Sequence, residues 1–176
     1  MSFTAQPRRI LIAGVSGVGK TTLAKHVASA LSIEHTEIDG LYHGPNWTPR
    51  QEFLEEVKRL AGSDCWVTEW QYQEARPVLL ARADQLVWLD LPRRQSLFRV
   101  IRRTWQRSRS REVLWNGNRE PGMVHALVDR EGIIRWALSS YGRFPEKIAA
   151  AQSSYPGLEV VRLRSQREVD DWLQRL

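Results

Sequence analysis

With one cysteine, Cys65, in 176 residues, the chain has no means of forming an intrachain disulfide, which excludes the stapled scaffolds typical of oxidising compartments. Cys65 stands beside Trp66 and Val67 in an apolar run, where a buried, inert thiol is the expected state. Long apolar runs are also missing: none approaches the roughly 18 to 20 residues that a membrane-spanning helix requires. The histidines His26, His35, His43 and His125 are widely spaced and none is paired with cysteine, so a zinc site is not expected. Met1 to Arg9 carry neither an apolar signal core nor a cleavage-site pattern, and a cytoplasmic protein that does not engage a membrane is expected. Internal repeats, low-complexity tracts and Pro/Gly/Ser linkers are absent as well, so one domain spanning 1–176 is predicted.

Acidic residues are missing from one stretch in particular. Arg93, Arg94, Arg99, Arg102, Arg103, Arg107, Arg109 and Arg111 follow one another with no Asp or Glu between them, in a chain of net charge +6. Such a field attracts phosphates, nucleic acid or acidic surfaces alike. The alternative is a solvated helix face.

What is present is an alternation of short strands and helices. Arg9 to Ala13 is an apolar, β-branched run ending at a glycine, and a helix follows from about Gly19 to Leu31. His35 to Asp39, Cys65 to Glu69, Gln85 to Asp90 and Leu158 to Leu163 read as further strands. Thr48-Pro49-Arg50-Gln51 offers an N-cap, a proline at the first helical position and a Gln at N3 for a helix carrying Phe53, Leu54, Val57 and Leu60. Leu97 to about Arg109, Val124 to Leu138 and Pro145 to Gln152 read as helices, and Ser165 to Glu168 is a capping box opening a terminal one. The pattern predicts an α/β fold of three layers, α/β/α, with a five-stranded parallel sheet covered on both faces.

Gly14-Val15-Ser16-Gly17-Val18-Gly19-Lys20-Thr21 matches G-x-x-x-x-G-K-[ST] in full, after a strand and before a helix. In this motif the glycines let backbone N–H groups curl inward around phosphate oxygens, and the helix N-terminus adds its positive end. Gly14, Ser16, Gly17, Val18, Gly19, Lys20, Thr21 and Thr22 are therefore candidates for holding a nucleotide. Lys20 is expected to reach the β- and γ-phosphates, and the Thr21 hydroxyl to ligate Mg²⁺. Asp39 and Glu69 close predicted strands in the same layer, and carboxyl ends of parallel strands face the crevice beside such a loop. A carboxylate there holds the metal, takes the proton of an attacking hydroxyl, or binds the acceptor; a plain strand-end cap is the competing role. Asp90 ends another strand before Leu91-Pro92, where structural and catalytic roles stand equally open. His43, Tyr42 and Trp47 offer flat surfaces for a base or sugar, and the remaining tryptophans are assigned to the core.

The P-loop, Ile38-Asp39-Gly40-Leu41-Tyr42-His43, Pro45-Asn46-Trp47-Thr48-Pro49, Leu86 to Arg93, the arginine-rich helix and Trp115-Asn116-Gly117-Asn118-Arg119-Glu120 together resemble the adenylate-kinase-like P-loop proteins often labelled topology-modulation proteins, over nearly the whole chain. The resemblance implies a nucleoside-monophosphate-kinase-like fold with an acceptor-binding insertion at about 40–62 and an Arg-rich lid at about 102–120. It implies that Arg102 or Arg103 packs against the nucleotide, that Arg107, Arg109 and Arg111 close over the transferred phosphoryl group with Arg119 a weaker member, and that the loop around Arg164 holds adenine. Glu69-Trp70-Gln71-Tyr72 departs from the Asp-Gly-Asn-Tyr of many relatives, which places Trp70 where a glycine leaves space and leaves the acceptor's identity open. The expected function is transfer of the γ-phosphoryl of MgATP to a small-molecule acceptor, with nucleotides among the candidates. The alternative is an ATP-dependent protein that acts on nucleic acid through Arg93 to Arg111, although no familiar reader motif accompanies the charge.

Overall fold

The computed structural model describes residues 7–110, 115–118, 142 and 144–176. Arg111, Arg119 and the helix expected at 124–138 lie outside the described residues. So do the side chains of Arg103 and Arg107. Five strands form one all-parallel sheet: β1 (Arg9–Ala13), β2 (His35–Thr36), β3 (Trp66–Glu69), β4 (Gln85–Leu89) and β5 (Glu159–Leu163), ordered β2-β3-β1-β4-β5. Parallel neighbours need crossovers, and the described ones are α1 (Lys20–Leu31), α2 (Ile38–Tyr42), α3 (Phe53–Gly62), α4 (Ala75–Leu80), α5 (Arg93–Ser110) and α6 (Phe144–Ser154), with α7 (Gln166–Leu173) after β5. Among the described residues no helix is long and apolar enough to cross a membrane.

Ile10, Leu11, Ile12 and Ala13 of β1 are fully buried, as are Trp66, Val67, Leu86 and Val87 on its two neighbours. Strands buried on both faces carry no polar alternation, which is why these runs are continuously apolar. Leu23, Ala24 and Val27 of α1, Val57 and Ala61 of α3, Ile148 and Ala151 of α6, and Val169 and Trp172 of α7 complete the core. The register sets Ile12 beside Glu69 and Ala13 beside Trp88. Glu69 and the turn after Ala13 thus share the carboxyl edge of the sheet.

Three expectations need correction. β2 stops at Thr36, and Asp39 lies in the first turn of α2 rather than at a strand end. Thr48-Pro49 does not cap α3, which begins at Phe53. Instead Thr48 O accepts from Gly44 N–H at 2.7 Å, the Thr48 hydroxyl donates to Pro45 O at 2.7 Å, and Arg50 N–H donates to Tyr42 O at 2.9 Å. These bonds and a His43–Pro49 bridge fold 43–50 into a closed loop, and the proline serves its return. The bidentate Arg50–Glu56 pair, at 2.8 and 2.9 Å, then ties that loop to α3. The tryptophans also divide: Trp66, Trp70, Trp88 and Trp172 are buried, but Trp105 is 51% exposed on α5 near Phe98 and Ile101.

Candidate active site

The turn between β1 and α1 is built around its glycines. Gly14 has φ +153°, and a Cβ there would stand 2.7 Å from Val18 Cγ1 and 3.0 Å from Leu89 O. Gly19, φ +110°, is the residue from which α1 starts, so the loop delivers its amides directly to a helix N-terminus. The Lys20 ammonium donates to Val15 O at 3.3 Å, and the residue is 7% exposed. It is folded back over the loop where a phosphate chain would lie. On the outer side Arg99 of α5 donates to Val18 O at 3.0 Å and lies 3.5 Å from Gln166 Oε1, joining the loop to α5 and α7.

Glu69 sits beneath this loop and does not line the cavity. It is 3% exposed. Its Oε2 accepts from Ile38 N–H at 3.2 Å, its Oε1 lies 3.3 Å from His35 Nε2, and it bonds the Thr21 hydroxyl. Both carboxylate oxygens are thus engaged by neighbours within the protein. A hydroxyl that donates its proton to a carboxylate keeps its lone pairs for a cation. Burial alone would raise the Glu69 pKa, but the bonds from His35, Ile38 and Thr21 outweigh it and hold the carboxyl below its ordinary value of 4.5. A depressed folded-state pKa contributes stability above the unfolded value, and that stability is lost as pH falls through the folded one. Glu69→Gln should therefore melt below wild type at neutral pH, with the gap narrowing as pH drops beneath 4.5. A constant gap in melting temperature across that range would contradict this.

Asp39 faces the P-loop across the cavity, held by polar neighbours. Its Oδ1 accepts from Gln71 Nε2 and from the Tyr72 hydroxyl, both at 2.7 Å, and no described residue donates to Oδ2. His43 Nε2 lies 3.1 Å from the Tyr72 oxygen. Burial, reinforced by Asp39, drives the Tyr72 hydroxyl far above its ordinary pKa, so it stays protonated and donates. Burial likewise lowers the His43 pKa, although Asp39 opposes the shift. Neutral His43 donating to the Tyr72 oxygen, and the Tyr72 hydroxyl to Asp39 Oδ1, gives the row a consistent direction.

Trp115 to Asn118 docks on this wall. The Trp115 indole donates to Glu37 Oε2 at 2.8 Å, and its ring lies 6.2 Å from that of His43 and 6.4 Å from that of Trp47. It packs over Gly40 so closely that a Cβ there would approach Trp115 Cδ1 to 3.0 Å. Asn118, 4% exposed, donates to Gly44 O at 2.8 Å and to Trp115 O at 2.9 Å and accepts from Trp47 N–H at 3.0 Å. Asn118→Ala leaves buried backbone groups unpaired and should cost about 1–3 kcal/mol in denaturant unfolding. An unchanged midpoint would mean the segment is not docked in solution.

A cavity of about 920 Å³ joins these parts, lined by the P-loop from Ser16 to Thr22, by Asp39, His43, Trp47, Gln71, Tyr72 and Trp115, and by Gln166, Val169, Asp170 and Leu173 of α7. Arg76, Arg99 and Lys147 also line it, and the sequence did not single them out as site residues. Arg99 carried a signal, since it belongs to the arginine run; an isolated arginine on α4 and a lysine on α6 carry none. Arg102 and Arg109 are exposed and do not line the cavity; Arg109 lies over the Trp105 ring at 5.7 Å. A helix rises about 1.5 Å per residue, so α5 leaves the loop soon after Arg99. Arg164 is exposed, and its N–H donates to Glu168 Oε2 at 2.9 Å; α7 takes its place as the wall. Asp90 pairs with Arg162, whose Nε donates to Oδ2 at 2.9 Å, and is absent from the cavity lining, which is a structural role. Trp70 is buried below the cavity against Phe144 and does not fill it.

The residues fit a nucleotide with Mg²⁺: a loop whose curl a Cβ at Gly14 would block, an ammonium above it, and a hydroxyl oxygen of the hard kind that Mg²⁺ takes alongside phosphate oxygens. A family model described as "ATPase family associated with various cellular activities (AAA)" matches residues 10–61. No curated protein matches the chain. Shikimate kinase from Acinetobacter baumannii in complex with shikimate is similar in structure with a TM-score of 0.57 at 17% identity, over 96% of this chain and 89% of that one. Shikimate kinase from Bacteroides thetaiotaomicron gives 0.56 at 14%, over 97% and 96%, and a gluconokinase from Sinorhizobium meliloti 1021 gives 0.51 at 19%, over 96% and 93%. Identities this low establish the fold. The chain has the α/β fold of these kinases, with a P-loop motif at its first strand–helix turn.

Proposed function

We propose that the protein is a phosphotransferase that moves the γ-phosphoryl of MgATP to a hydroxyl of a small-molecule acceptor. The observation that carries this reading is the continuous cavity from the P-loop to Asp39, walled on the acceptor side by His43, Trp47, Tyr72 and Trp115. The P-loop amides and Lys20 would hold and polarise the phosphates, Thr21 bonded to Glu69 would ligate Mg²⁺, and Asp39, fixed by Gln71 and Tyr72, would take the hydroxyl proton. Mg²⁺ when bound neutralises charge on the phosphate oxygens. Among the described side chains of the arginine run, Arg99 reaches the loop. The topology-modulation resemblance gains support from contact between its two signature segments: Trp47 N–H bonds Asn118 and the Trp47 and Trp115 rings meet edge to face.

The test is MgATP consumption by the purified protein against a panel of nucleoside monophosphates, nucleosides, sugars and hydroxy acids. An acceptor that raises turnover about a hundredfold, a change of roughly 2.7 kcal/mol in barrier, establishes the kinase. Bound or slowly hydrolysed ATP with no stimulation by any acceptor removes it. The exposed arginines and aromatics of α5 would then be tested against nucleic acid in a salt titration.

A further inference from the structure

Among the described residues, Arg76 stands apart from several other arginines that are closed by carboxylates. Arg9 pairs with Asp84 at 2.6 Å, Arg50 with Glu56 at 2.8 Å, and Arg162 with Asp90. Arg76 pairs with none among the described residues. Its Nε is buried without a hydrogen-bond partner, and its guanidinium lies over the buried Trp70 ring at 4.8 Å. The Trp70 ring meets Phe144 edge-on at 6.1 Å, so the surface under Arg76 is rigid and apolar. Arg76 lines the same cavity as the P-loop and Asp39. Its backbone N–H donates to Tyr72 O at 3.2 Å, and Tyr72 in turn donates its hydroxyl to Asp39. The main chain that carries Arg76 and the Asp39 carboxylate are therefore both fixed to Tyr72.

A guanidinium keeps its charge in proteins, and burying that charge without a counter-ion is costly. The cost is visible as a lowered pKa whose cause is burial alone. A planar fork stacked on an indole has its rotamer already set, which is the arrangement that suits bidentate capture of a carboxylate or phosphate.

We propose that Arg76 is the anion subsite of the acceptor pocket, so that the acceptor is a hydroxy compound bearing a carboxylate or phosphate, with its hydroxyl at Asp39 and its anionic group at Arg76. This rests on the phosphotransferase reading for the word acceptor, but the anion site itself does not. Neutral sugars and nucleosides lack the group that closes Arg76. Trp70 acquires a purpose here: it is the platform that holds the arginine.

The test uses the full chain saturated with MgATP's non-hydrolysable β,γ-imido analogue, which occupies the P-loop and removes it as a competing anion site. Two matched pairs are titrated by calorimetry: glycerate against glycerol, and ribose 5-phosphate against ribose. The expected result is at least tenfold tighter binding of the anionic member in one pair or both, and which pair responds separates carboxylate from phosphate. Arg76→Gln should abolish the preference, Arg76→Lys should keep part of it, and Arg167→Gln, on the surface of α7, should behave as wild type. If Arg76→Gln fails to fold, Arg76→Lys carries the test, with a loss of several-fold in preference. Equal binding of both members of both pairs, or a preference that survives in the Arg76 variants, overturns the proposal. Turnover with MgATP is scored separately: an intact anion preference with no phosphorylated product would sink the kinase reading and leave the anion site standing. Phosphoryl transfer to neutral acceptors alone would do the reverse.

Discussion

Lys20→Ala should lower phosphoryl transfer by about three orders of magnitude or more, roughly 4 kcal/mol of transition-state stabilisation, and change the fold little. The ammonium lies over the P-loop, 3.3 Å from Val15 O, and lines the cavity. It is held in a water-poor position before any phosphate arrives. A fixed charge in that setting costs no reorganisation as negative charge redistributes over the transferred group, which is why its loss is felt in turnover more than in binding. The bond to Val15 O that the variant loses is worth about 1 kcal/mol. The measurement is turnover with the best acceptor from the panel, beside a thermal melt. A variant with wild-type rate would sink the mechanism, and one that loses its melt would show that Lys20 supports the fold.

Asp39→Asn has the second largest expected effect, a fall in kcat of about 10² to 10⁴ with the acceptor. Asparagine keeps an oxygen to accept from Gln71 and Tyr72, the two groups that hold Asp39 at 2.7 Å, so the pocket wall survives. What it loses is the capacity to take a proton. The loss should fall on kcat, while KM for MgATP, which is set at the P-loop, moves little. Initial rates over both substrates distinguish this from a binding defect. A variant whose kcat is unchanged with every acceptor would remove Asp39 from the chemistry and leave it a structural support for Tyr72. The hydrogen-bonded row of His43, Tyr72 and Asp39 makes that second outcome a real alternative, since each member also satisfies its neighbour.

The differences between what the residues announced and what the fold delivers follow a physical line. Motifs whose conformation is set locally were legible. The P-loop requires positive φ at Gly14 and Gly19 and no room for a Cβ at Gly14, and only glycine at those places permits it. The capping box also stands, with Glu168 N–H donating to Ser165 Oγ at 3.2 Å, and the Glu168 carboxylate accepting from the Ser165 hydroxyl at 3.4 Å and from the Arg164 backbone N–H at 2.9 Å. The pattern of apolar strands likewise announced a buried parallel sheet. By contrast, Thr48-Pro49 carries a helix-start signal that the chain does not use, because bonds from Gly44, Arg50 and Pro45 claim the same groups for a loop. A cap is worth about 1 kcal/mol, and several loop bonds outweigh it.

The site divides along the same line. From its residues alone the chain determined a phosphate-binding loop, the order of strands and helices, and a basic helix, because each depends on neighbours within a few positions. Only the tertiary structure decided which charged groups share the cavity. It turned Glu69 under Thr21 and out of the cavity lining, placed Asp39 on a helix, set Arg99 on the P-loop, and brought Arg76 and Lys147 into the cavity. It also laid Trp115 to Asn118 against a loop more than seventy residues earlier. These are matters of sheet register and helix docking between distant segments, and local spacing holds no record of them.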